Sequence, residues 1–413
     1  MNRNFIRSIV PVIIVAVVAV GLTIAFTVNS SQPKGDRNNP ILIQNNTGGG
    51  VTPETTANPD ANRAPVPSAK NTEQAEKNGR DGLKVKALYL TGWTMGSMDK
   101  VNHFVELAKT TEINSYVIDV KDDDGYVGYE SDIPAVREIK AWQPKYDVDK
   151  VLKAMHDNNI HIIGRVVCFK DPILSSKRPD LAIKNTSGGL WRDNHGLTWL
   201  NPYNKDSWEY IVEIAREAVK KGFDEIQFDY VRFANDGNKK AMNFGDTGKE
   251  KYEAIDEFLA YARKELPGVK LSADVFAIIC ESPADTEDIG QYLEYMGKDI
   301  DYISPMAYPS HYAVGQVINE ITFVKPDFDP YGVVYNTLIK AKDRISKVQG
   351  YKARVRPYLQ DFTATWLGKG YYQHYGAEQV RQQIKAVYDA GYEEWILWDV
   401  TNRYSEDALL KEK

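Results

Sequence analysis

The sequence predicts an α/β fold, a (β/α)8 barrel, preceded by a transmembrane helix and a disordered spacer. Two observations in the chain predict the barrel. From residue 83 onward, eight short apolar runs of strand length alternate with longer stretches, most of them helical in pattern. No Gly-x-Gly-x-x-Gly follows the first of these runs, which counts against the open doubly wound sheet that competes with a barrel.

The N-terminal elements come first. Ile9 to Val28 is an almost unbroken apolar run preceded by Arg3 and Arg7. It has the length to cross a bilayer as a helix, and the arginines favour a cytoplasmic tip. Pro11 near its start is tolerable in a membrane helix. A cleaved signal peptide competes, but no clear Ala-x-Ala site follows. Either reading exports the rest of the chain: held at the cell membrane if the segment stays, secreted if it is cut. Residues 29–82 turn to Asn, Pro, Thr, Ser, Gly and Lys. Such a stretch buries too little apolar surface to offset its ordering entropy and is expected to be a plain spacer.

The expected strands of the third region, residues 83–413, are Val85–Leu90, Ser115–Val120, His161–Cys168, Glu225–Val231, Lys270–Phe276, Asp301–Met306, Arg354–Leu359 and Glu394–Trp398. Helical patterns lie between most of them, as in Asp206–Lys221, Lys249–Glu265, Tyr331–Lys347 and Ala377–Ala390.

Composition narrows the function. A net charge of −6 argues against a nucleic-acid partner. The 25 tyrosines and 8 tryptophans suit stacking on sugars, although most such rings serve packing. Cys168 and Cys280 both fall inside apparent strands, so two buried free thiols are expected rather than a disulfide scaffold. None of the six histidines forms a His-Glu-x-x-His pair, and no Gly-x-Ser-x-Gly elbow occurs. Zinc and serine hydrolases are disfavoured, and no metal or cofactor is expected. Asp122-Asp123-Asp124-Gly125 weakly suggests a calcium loop but reads better as a solvated turn.

The chemistry is expected where polar strand ends meet. In Glu225–Val231, Ile226 and Phe228 alternate with Gln227 and Asp229, which leaves Asp229 on the polar face near the carboxyl end. Asp119, Asp274, Asp361 and Asp399 hold similar places. Ligands bind at that end of parallel barrels. Buried charges are costly unless paired or used, and five such acids make a shared structural excuse less apt. Paired carboxylates suit glycoside hydrolysis: one protonates the leaving oxygen while the other attacks the anomeric carbon or activates water. Asp229 is assigned as nucleophile or base and Asp274 as acid, or with the two roles exchanged. Asp119, Lys121, Arg165, Arg232, Tyr308, Asp361, Trp398 and Asp399 are expected to bind substrate around them. Trp191 and Trp199, in the long loop after the third strand, are either sugar platforms or plugs beneath the loop.

These residues carry a resemblance. Val117-Ile-Asp-Val-Lys121-Asp, Gly164-Arg-Val-Val167 with Lys170-Asp171, Leu200-Asn-Pro-Tyr203, Phe228-Asp-Tyr-Val-Arg-Phe233, Ser272-Ala-Asp-Val-Phe276, Ser304-Pro-Met-Ala-Tyr-Pro-Ser310, Leu359-Gln-Asp-Phe362 and Leu397-Trp-Asp399 resemble the motifs of a glycoside hydrolase family found in bacterial membrane-anchored and secreted proteins. The resemblance spans about Lys84 to Tyr404. It implies a (β/α)8 barrel distantly similar to α-amylase- and polygalactosaminidase-type glycosidases. In amylase-like enzymes the nucleophile is an Asp ending the fourth strand, which Asp229 matches. Their acid on the fifth strand is usually Glu, and here the sequence departs by offering Asp274. The expected function is therefore extracellular hydrolysis of a cell-wall or capsular polysaccharide. The alternative is a barrel that only binds carbohydrate or docks in the envelope.

Overall fold

The computed structural model describes residues 82–411. The expected membrane segment and nearly all of the expected spacer lie outside them. Among the described residues no helix is long and apolar enough to cross a membrane.

Strands β1 (Lys86–Leu90), β2 (Ser115–Lys121), β3 (His161–Val167), β4 (Glu225–Asp229), β5 (Lys270–Phe276), β6 (Tyr302–Met306), β7 (Arg354–Val355 and Tyr358–Gln360) and β8 (Trp395–Trp398) form one sheet. Neighbours in this order are parallel throughout, and β8 returns to pair with β1, Lys86 opposite Trp395, which closes the barrel. The expected strands stand within a residue or two of these bounds. β7 is the exception, because Pro357 has no N–H for a ladder. Arg354 and Val355 pair with β6, and after the break Tyr358 to Gln360 pair with β8.

Helices α1 (Met98–Thr110), α2 (Val148–His156), α3 (Lys205–Lys221), α4 (Lys251–Glu265), α5 (Pro330–Ile345) and α6 (Ala377–Asp389) surround the sheet. Their ends follow from local chemistry. The Asn204 side chain caps the first turn of α3, and Gly222, at φ 118°, takes the left-handed conformation that ends it. Asp329 caps α5 with Pro330 in the first helical position. Between β5 and β6 only short turns intervene, Ala277–Cys280 and Leu293–Met296.

Two apolar layers result. The outward residues of the strands, such as Leu88, Ile118, Ile162, Ile226 and Phe228, pack under the helices. The inward ones, Ala87, Tyr89, Val117, Ile163, Tyr358 and Ile396, fill the barrel. Below this plug, at the amino ends of the strands, a charged floor replaces it. Arg356 donates to Glu225, with Glu394 4.0 Å from its other side, and Ser272 Oγ donates to Glu225 at 2.6 Å. Cys168 and Cys280 are free and buried, as expected.

Candidate active site

The carboxyl ends of β2, β3 and β4 bring three charged side chains together. Arg165 donates from Nη1 to Asp119 Oδ1 at 2.7 Å, and from Nε and Nη2 to Asp229 Oδ2 at 2.9 and 2.6 Å. Tyr89, on the inner face of β1, donates its hydroxyl to Asp119 Oδ2 at 2.8 Å. All four are buried. Burial opposes the charge on Arg165, but the carboxylates of Asp229 and Asp119 overcome it and hold the guanidinium above its ordinary range. Burial pushes Asp119 up to about 6 against the pull of Arg165.

Asp229 is fixed by its own backbone as well. Its Oδ1 accepts the Tyr230 N–H at 2.6 Å. Tyr230 has a φ of 48°, left-handed and unusual for an aromatic residue, the kind of strain that clusters at functional sites. Lys170, paired with Asp123 at 2.8 Å, stands 4.8 Å from the Tyr230 ring centre. Asp229 thus accepts three hydrogen bonds, as a carboxylate acceptor does.

Asp274 has the opposite surroundings. It lies on β5, the strand paired to β4, and is 3% exposed. Its Oδ1 is buried without a hydrogen-bond partner among the described residues. Burial first, and the negative charge of Asp229 second, hold its carboxyl well above the usual range. Burial first, and the charge of Asp274 second, push the hydroxyls of Tyr308 and Tyr358 above their ordinary range. Tyr358 donates to Gln227 at 2.6 Å. One acid is gripped by a cation, and its neighbour is buried with one carboxyl oxygen unpartnered among the described residues. Environments of this kind separate a proton donor from an acceptor.

The structure therefore gathers Asp119, Arg165, Asp229, Asp274 and Tyr308 at one mouth. Trp398 joins them, stacked on Tyr89 at 6.2 Å and tilted against Tyr308 at 5.9 Å. Arg232 lies further out, its guanidinium 4.5 Å from the Phe276 ring centre, donating to Phe233 O and Asn235 Oδ1 at 3.0 Å each. Phe276 lies two residues beyond Asp274 on the same strand face, one step nearer the rim.

Three residues expected to bind substrate have protein partners of their own. Strict alternation puts Lys121 on the inner face with Asp119, but β2 carries a bulge in which Val120 and Lys121 oppose the single Val166. Lys121 is thereby turned away from the mouth, fully buried, 3.0 Å from Asp171 and donating to Val167 O. Asp361 accepts from the Ser405 N–H and hydroxyl at 2.7 and 2.8 Å. Asp399 accepts from the backbone and hydroxyl of Thr401. Both acids are engaged by the C-terminal turn.

Trp191 and Trp199 are plugs, nearly fully buried and donating to Asn238 O and Asp193. Asp122–Gly125 is a turn, with Asp122 Oδ1 accepting from Asp124 and Tyr126. Among the described residues no group of three or more His, Cys, Asp or Glu could hold a metal ion. Tyr89 and Tyr358 join the site without having been expected there. Tyr89 was legible, since it alternates with Ala87 and faces inward at the end of the first strand.

A protein family described as "Putative glycosyl hydrolase domain" matches residues 87–404, from β1 through the C-terminal turn. The chain belongs to this family. The glycosyl hydrolase domain so defined contains every residue of the mouth. Among solved structures, the chain is similar to a hypothetical protein from Ruminiclostridium thermocellum ATCC 27405, with 71% identity over 46% of this chain and 97% of that one, TM-score 0.44. It is also similar to the PgaB (BpsB) glycoside hydrolase domain from Bordetella bronchiseptica, with 12% identity over 80% of this chain and 100% of that one, TM-score 0.57. The latter likeness is one of fold. The spore cortex-lytic enzyme SleL of Bacillus cereus matches at 12% identity over 79% of this chain and 73% of that one, TM-score 0.46. The search of curated proteins found no match.

Proposed function

We propose that this glycosyl hydrolase domain works outside the cytoplasm on a cell-wall or capsular polysaccharide, with Asp274 as general acid and Asp229 as nucleophile or base. The observation that carries the assignment is the contrast between the two acids: Asp229 is held by Arg165, while Asp274 Oδ1 is buried and unpartnered. Asp274 donates its proton to the glycosidic oxygen as the bond to the anomeric carbon breaks. As it breaks, Asp229 bonds to that carbon, and water deprotonated by Asp274 later cleaves the ester; alternatively Asp229 takes a proton from the water that attacks the carbon directly. Arg165, itself steered by Asp119, fixes the direction from which Asp229 acts.

Export is supported by the apolar run Ile9–Val28 behind Arg3 and Arg7. Membrane fractionation of cells carrying the full chain tests it, with the membrane pellet as the expected place.

The chemistry is tested by release of reducing ends from wall and capsular glycans. Wild type should release them, and Asp229→Asn should not, while retaining its affinity for the glycan. Equal release by the two proteins would sink the assignment. Binding without release by wild type would favour a barrel that only holds sugar.

A further inference from the structure

We propose that the β6–β8 side of the mouth is a ledge for consecutive sugar rings of a polysaccharide, with Trp366 as its outermost platform. The inference rests on the glycosidase reading for its inner end and extends it to the shape of substrate the site takes.

The ledge is a chain of rings with graded exposure. Tyr89 and Trp398 stack nearly parallel, 20° apart at 6.2 Å. Phe362 meets Trp398 edge-on at 5.3 Å, and Trp366 stacks on Phe362 at 5.7 Å and 22°. Tyr89 is buried, Trp398 and Phe362 are half-buried, and Trp366 is 45% exposed. The inner end is tied to the chemistry, because Tyr89 donates to Asp119, which shares Arg165 with Asp229. The outer end rises from the loop after β7, in the short turn Thr365–Leu367.

Across the mouth, β2 to β4 present charge beside the Tyr230 ring: Asp119, Arg165 and the Lys170–Asp123 pair. A pyranose ring has an apolar C–H face and a rim of hydroxyls, and it suits a surface that is aromatic on one side and polar on the other. Packing accounts for Tyr89 and Trp398. Trp366 continues the same row, packed on Phe362 and His311 on its inner side and with nearly half its surface left to solvent. A polysaccharide chain running outward from the bond between Asp229 and Asp274 covers that row, whereas a mono- or disaccharide held at the acids leaves Trp366 bare.

The test measures binding without turnover. Full-length, detergent-solubilised protein carrying Asp274→Asn is run in native gels containing soluble glycol chitin, mixed-linkage β-glucan, xylan or alginate, with and without Trp366→Ala. Asp274→Asn alone should be retarded by at least one polymer. Adding Trp366→Ala should weaken that retardation by about tenfold in apparent Kd, and Trp366→Phe should restore most of it. In otherwise wild-type protein, Trp366→Ala should raise KM for that polymer, leave kcat alone, and leave KM for a disaccharide of the same linkage unchanged.

A structural role for Trp366 would shift both substrates together, and that result overturns the ledge. So does retardation that Trp366→Ala leaves intact, or no retardation by any of the four polymers. Retardation that depends on Trp366, with no hydrolysis by the wild-type acids, would keep the ledge and remove the glycosidase reading alone.

Discussion

At the scale of single residues, what matters is that two aspartates on paired strands are treated so differently. Asp229 receives two N–H groups from Arg165 and one from Tyr230, whereas Asp274 Oδ1 receives none. A carboxyl raised in the folded state is more protonated there than in the unfolded chain. It therefore contributes stability that is present below the ordinary carboxylate range and lost as pH rises through the folded value. Catalysis by a proton donor is lost on the same side. Asp274→Asn should lower kcat by about 10²–10⁴-fold and erase the alkaline limb of the pH–rate profile. It should also raise the melting temperature at pH 8 more than at pH 5. A variant less stable than wild type at pH 8 would show that the burial of this acid is compensated elsewhere. The sequence made these two positions legible, because alternation in a strand says which face a side chain takes. It could not show that Asp361 and Asp399 answer to Ser405 and Thr401, since each also ends a strand and looks like the others.

At the scale of elements, strands were readable wherever alternation ran undisturbed, and β5 matches its expected bounds. Where one residue is added, as in β2, or a proline interrupts, as in β7, alternation misplaces the side chains beyond that point. The barrel floor was not anticipated either. Glu225, His161, Arg356 and Glu394 begin or interrupt strands far apart in sequence, and only closure brings them together. Burial alone would raise the Glu225 carboxyl, but Arg356 and His161 beside it push it down to about 2. A lowered carboxyl gives stability that is present above its ordinary pKa and lost as pH falls through the folded value. Arg356→Met should therefore destabilise the barrel by about 3–5 kcal/mol at neutral pH, because Glu225 is left buried without its cation. Adding Glu225→Gln should recover much of the loss. Urea denaturation at pH 7 and pH 3 checks both points: the gap between wild type and Arg356→Met should narrow at pH 3. A gap of the same size at both values would exclude the pair as its source.

At the scale of the whole molecule, the barrel closes where its first and last strands meet, and the C-terminal turn straps that seam. Asn402 donates to Tyr89 O at 3.0 Å and accepts from Thr91 and Thr94, and the Tyr404 hydroxyl also donates to Tyr89 O. Nearer the C-terminus, Leu409 O accepts from the Glu112 N–H at 2.9 Å. A chain ending at Val400 loses all of these contacts. It should be destabilised by at least about 3 kcal/mol and should lose activity more steeply than stability, since Tyr89 positions Asp119. Calorimetry beside the reducing-end assay measures the two losses, and an active, fully stable truncation would refute the strap. Closure itself was foreseeable from eight strand-like runs in one chain. The strap was not, because residues 401–411 carry no periodicity that distinguishes them from a frayed end.

The bulge in β2 bears on how roles are carried from one chain to another. Ile-Asp-Val-Lys is a string of letters, but the extra residue works like a shift of reading frame: Asp119 meets the cleft and Lys121 does not. In a relative whose second strand runs straight, the same letters would deliver the lysine to the substrate and change the charge of the cleft by one. Matching columns of an alignment would call the two residues equivalent, yet one ammonium would hold up a wall and the other would touch sugar.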